Sequence, residues 1–82
     1  MNLYMVSDSD YEWGCFVFET TRGRAKAWVA GHFGYPYIDM RSNLLVHGVN
    51  VPTPMLVDCD DDPGYAEVLR CGYHFSTEEE EE

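Results

Sequence analysis

Carboxylates at alternate positions are the first residues in this chain whose types and spacing could do chemistry. Asp8, Asp10, Glu12 and Glu19 stand where the first, third, fifth and twelfth residues of a calcium-binding EF-hand loop would stand. The glycine that such a loop needs for its sharp turn is replaced by Trp13, and Gly14 comes one residue late. The flanking runs are patterned as strands, not helices. A second acidic run, Asp58, Asp60, Asp61 and Asp62, also alternates, but Leu69 occupies the position of the closing glutamate. Helix capping by Asp62, with its neighbours complementing the positive end of a helix dipole, accounts for that run. No metal site and no cofactor are expected from either.

Nucleophilic chemistry finds less support. Cys15 sits in an apolar strand-like run and Cys71 at the end of a helix, and no nucleophile motif surrounds either. His32 falls on an apolar helix face, where packing is the ordinary role, and His47 and His74 have no partner nearby in sequence. There is no H-E-x-x-H and no phosphate-cradling glycine loop. A chain of 82 residues buries only about 60% of its unfolded surface, which leaves little room for a deep substrate pocket. No catalytic residue is expected, and a small-molecule substrate is not.

Charge carries more information. The chain has 15 acidic and 5 basic residues, and Glu78 to Glu82 end it. Without those five glutamates the acids still outnumber the bases two to one. Such a surface repels nucleic acid and anionic membrane and attracts basic proteins, including those with grooves built to hold nucleic acid. Three of the five bases, Arg22, Arg24 and Lys26, crowd the start of a predicted helix, where the dipole disfavours cations. Pairing with Asp8, Asp10 or the acidic tail is the expected compensation; an anion site is the alternative. The three cysteines include no C-x-x-C, which argues against a disulfide framework and a structural zinc. No signal-like or membrane-spanning apolar run is present, and a reducing cytoplasm is expected.

The elements that position these residues read as follows. Leu3 to Val6 and Cys15 to Phe18 are strand-like, joined by a polar loop, and predict an antiparallel hairpin. Thr20 and Thr21 offer an N-cap. Ala25, Trp28, Val29, His32 and Phe33 then recur at helical spacing on one face, with Gly34 as C-cap and Pro36 beyond it. Ile38 and Met40 alternate with Asp39 and Arg41, favouring a strand. Met55 to Val57 forms a short strand. Asp62 at N-cap and Pro63 at N1 open a second helix, with Tyr65, Val68 and Leu69 on its apolar side and Gly72 ending it. Tyr73 to Phe75 reads as a last strand. The expected fold is a single α+β domain over residues 1–76, order β-β-α-β-β-α-β, with both helices on one face of a small antiparallel sheet. Residues 77–82 form an acidic tail expected to lack structure.

A short chain with a strand hairpin, the segment Thr20-Thr21-Arg22-Gly23-Arg24-Ala25-Lys26 opening a helix, then Tyr37-Ile38-Asp39-Met40-Arg41 and an acidic C-terminus, resembles small orphan proteins of bacteriophages and mobile elements. Size and acidity are similar to phage-borne inhibitors of host defence, including anti-CRISPR and anti-restriction proteins. The resemblance implies a non-enzymatic inhibitor in the bacterial cytoplasm. Its partner would be a host protein or nuclease complex, a Cas effector above all, with no direct contact to nucleic acid or membrane. Asp8, Asp10, Glu12, Asp58, Asp60 and Asp61 would supply the acidic face, with Tyr11, Trp13 and Tyr35 as aromatic anchors. The basic run from Arg22 to Lys26 departs from an evenly negative DNA mimic. The alternatives are an accessory module that binds some other host protein and a small calcium- or magnesium-binding domain.

Overall fold

The computed structural model describes residues 1–8 and 14–75. Strands β1 (Asn2–Asp8) and β2 (Gly14–Glu19) pair antiparallel, with Asn2 opposite Glu19 and Ser7 opposite Gly14. Helix α1 (Arg22–Phe33) follows, then a 3-10 turn at Tyr37–Asp39 and strand β3 (Met40–Val46). A three-residue strand β4 (Met55–Val57) and a short helix α2 (Tyr65–Arg70) complete the order. The sheet runs β3-β1-β2-β4, every neighbouring pair antiparallel. β2 and β3 therefore point the same way on either side of β1, and α1 crosses over β1 to connect them. The chain is an α+β domain with an antiparallel sheet and two helices, as its patterning predicts.

The helices lie on opposite faces of the sheet, not on one. Tyr4, Val6, Cys15 and Val17 pack with Ala25 and Val29 of α1. Their strand neighbours Leu3, Phe16 and Phe18 pack with Val57 and with Val68 of α2. Since side chains alternate along a strand, these are two faces. The unbroken apolar run Cys15-Phe16-Val17-Phe18 is the sequence trace of that arrangement, because a strand covered on both sides does not alternate.

Local chemistry sets the helix limits. The Thr21 hydroxyl oxygen accepts the Arg24 N–H at 3.2 Å and caps α1. Gly34 ends it in the left-handed region at φ 67°, where a side chain would be strained. The start of α2 differs from expectation. Its cap is Gly64, and the Asp62 carboxylate turns back to accept the N–H groups of Asp58 and Cys59 at 2.9 and 3.3 Å. Gly64 is required by contact: a Cβ there would lie 2.8 Å from Cγ2 of the fully buried Val57.

Three further expectations are corrected. Tyr73 to Phe75 is not a strand. The Tyr73 N–H goes to the Val68 carbonyl and the Phe75 N–H to the Tyr65 hydroxyl, while the Phe75 ring packs on Phe16 and Tyr65 at 4.9 and 5.2 Å. The apolar residues thus close the α2-side core without joining a ladder. Ile38 is in the 3-10 turn and 87% exposed, so β3 starts only at Met40. On α1, Ala25 and Val29 are buried, Trp28 is half-buried, and His32 and Phe33 are exposed.

Candidate functional site

The last turn of α1 projects past the buried part of the helix, and Gly34 then turns the chain. The Tyr35 N–H donates to the Ala30 carbonyl at 3.1 Å, and the ring folds back against the α1-side core. Phe33 stays at the surface, with His32 edge-on to it at 4.7 Å. Across from them β4 ends at Val57, so the next residue, Asp58, points to the α1 side. The bonds that the Asp58 and Cys59 N–H groups donate to Asp62 fix the backbone there. Gly14, Phe33, Tyr35 and Asp58 line the resulting groove, with a volume of about 270 Å³. The Asp58 Oδ2 lies 3.9 Å from the His32 Nε2.

The electrostatics follow from this geometry. The hydrogen bonds from the Asp58 and Cys59 backbone stabilise the ionised Asp62 carboxylate and hold its pKa below the ordinary value of 3.8. Beneath the groove, burial pushes the Cys15 thiol up to about 12, and the negative charge of Asp58 adds to the shift. A neutral, fully buried thiol is packing material rather than a nucleophile. The His32–Asp58 separation is beyond hydrogen-bond reach and forms an ion-pair contact when the imidazole is protonated. Ligand atoms of Asp58, Cys59 and Asp62 lie within 4.8 Å of one another. The turn that Asp62 closes brings them together, and its carboxylate is already committed to two N–H groups.

Of the residues expected to bind a partner, Tyr35 and Asp58 meet in the groove, and Asp60 and Asp61 are exposed in the loop beside it. Asp8 does not belong to an exposed face. It is 4% exposed at the end of β1, on the face that carries Tyr4 and Val6 and opposite Met40. Asp10, Tyr11, Glu12 and Trp13 lie outside the described residues, as do Glu78 to Glu82. Lys26, expected to pair with a carboxylate, sits 4.5 Å from the centre of the Tyr37 ring. Sequence reasoning missed His32 and Phe33, which the helical periodicity assigned to the core. The available signal was their place just before Gly34, in the turn where a helix can outrun its sheet.

Comparison with protein-family models, curated proteins and solved structures gives no match to this chain. Among the described residues no helix is long and apolar enough to cross a membrane.

Proposed function

We propose that the chain is an acidic docking module that binds a basic surface of another protein. The favoured partner is the nucleic-acid groove of a host-defence nuclease complex, blocked in the manner of an anti-CRISPR inhibitor in the bacterial cytoplasm. The observation that supports this reading is the joining of Asp58 to Phe33 and Tyr35 in one groove, with Asp60 and Asp61 exposed alongside. Aromatic area supplies binding energy, and surrounding carboxylates steer a cationic partner and set specificity. The net charge of -10 extends that attraction over the molecule.

The test is capture of a nuclease complex from bacterial lysate by the tagged protein, followed by a cleavage assay and by elution in rising salt. Inhibition of cleavage, with steep loss of binding as salt rises, is the expected result. Retention that ignores salt and survives the double reversal Asp60→Lys, Asp61→Lys would sink the acidic-face reading. A second reading, docking through an apolar surface to some other host protein, is favoured by Ile38 at 87%, Tyr37 at 46% and Leu44 at 42% exposure. Salt-insensitive binding lost on Ile38→Ser would select it.

A further inference from the structure

We propose that the groove between the end of α1 and the loop after β4 seats one arginine side chain of the partner. This rests on the docking reading and names the group that reading leaves open.

The size of the groove suits a small group. At about 270 Å³ it lies at the lower end of the roughly 300–1,000 Å³ of sites that enclose whole small-molecule ligands. One long side chain is the right scale. Among the described residues its lining is two aromatic rings, a glycine and a single carboxylate. An inorganic cation such as calcium requires several oxygen ligands, and among the described residues this lining supplies one carboxylate. A purely apolar side chain would leave Asp58 facing hydrocarbon, which costs its hydration.

A guanidinium matches each of the described walls. It is planar and weakly hydrated, it stacks on aromatic faces, and its paired N–H groups fit the two oxygens of a carboxylate. Phe33 and Tyr35 line the groove, and the Asp58 backbone is held by the turn that Asp62 closes. A lysine ammonium is more strongly hydrated and cannot bond a carboxylate bidentately, which places it second. His32 lies on the rim, 3.9 Å from the same Asp58 oxygen, and an arriving guanidinium displaces that contact.

The test titrates the isotope-labelled full chain with three capped tripeptides, Gly-Arg-Gly, Gly-Lys-Gly and Gly-citrulline-Gly, followed by NMR. Saturable shifts at His32, Phe33, Tyr35 and Asp58, ordered arginine over lysine over citrulline, are expected. Asp58→Asn should weaken the arginine peptide about tenfold, as loss of a charge-assisted pair does. Phe33→Ala should weaken it without unfolding the protein, since that ring is 45% exposed. Asp60→Asn with Asp61→Asn should leave it within about twofold. Equal response to citrulline, shifts spread evenly over the acidic loops, or an Asp60/Asp61 effect as large as that of Asp58 would each overturn the proposal. If the peptide fails in the groove while salt-sensitive capture of a basic partner persists, only the arginine seat falls. If the peptide binds as expected and no basic partner is ever captured, the docking function falls and the seat stands.

Discussion

His32 Nε2 and Asp58 Oδ2 lie 3.9 Å apart and join the last turn of α1 to the loop that leaves β4. Both side chains are substantially exposed, so the pair adds little to stability. Its importance is positional: it marks where the exposed end of the helix brings aromatic rings to a carboxylate. His32→Ala should shift the melting midpoint by no more than about 2 °C. A large loss would show that the helix end is anchored through this contact.

Charge in the neighbouring loop should control association rather than folding. Asp60→Lys with Asp61→Lys should slow association with a basic partner about three- to tenfold and flatten its salt dependence. Circular dichroism should be unchanged, because both residues are exposed and Asp62, which closes the turn, is spared. Surface plasmon resonance at two salt concentrations reads the effect. An unchanged association rate would remove the steering role.

The two-faced core makes a ranking of substitutions. Phe18 is fully buried on the α2 side, and Phe18→Ala should cost about 3–5 kcal/mol. Trp28 is half-buried against the α1-side core, and Trp28→Ala should cost about 1–2 kcal/mol. Urea titrations of both variants check the order. Were Trp28→Ala the more damaging, α1 would have to sit deeper on the sheet than described.

Gly64 adopts ordinary helical backbone, so conformation alone would welcome alanine there. Contact forbids it, because the added Cβ would meet Val57 Cγ2 at 2.8 Å and the Met55 sulfur at 3.3 Å. Gly64→Ala should therefore destabilise by about 1–3 kcal/mol, the range for overpacking a core. A stabilised variant would mean that α2 can move off β4 at no cost.

Cys15 should make the fold sensitive to alkali. Its thiol pKa is raised by burial from 9.0 to about 12, so the folded state holds the proton more tightly than the unfolded chain. That contribution is complete below pH 9 and declines as pH rises toward 12, at up to about 1.4 kcal/mol per pH unit. Cys15→Ala should remove that part of the slope in melts taken across this window. In the native protein a thiol reagent should modify the exposed Cys59 and leave Cys15 untouched until unfolding. Rapid native labelling of Cys15 would contradict its burial.

Some of this protein is written in neighbouring residues. Thr21 and Gly34 bound α1, Gly72 closes α2, and the apolar runs Leu3 to Val6 and Cys15 to Phe18 make the hairpin, because caps and period-two patterning act over a few residues. Which face each helix covers is not local. It depends on α1 crossing over β1 between β2 and β3, and that path turns the second face of the same strands toward α2. The fate of Tyr73 and Phe75 was settled likewise, by the Val68 and Leu45 carbonyls that Tyr73 bonds and the Phe16 and Tyr65 rings that Phe75 meets, and not by their strand propensity. Asp8 and Asp58 look alike in sequence as acids at a strand's edge. Strand alternation and pairing bury the first beneath the α1 face, while the turn closed by Asp62 presents the second to Phe33 and Tyr35. The groove exists only through that tertiary meeting, since its described walls come from three parts of the chain whose meeting no local pattern encodes.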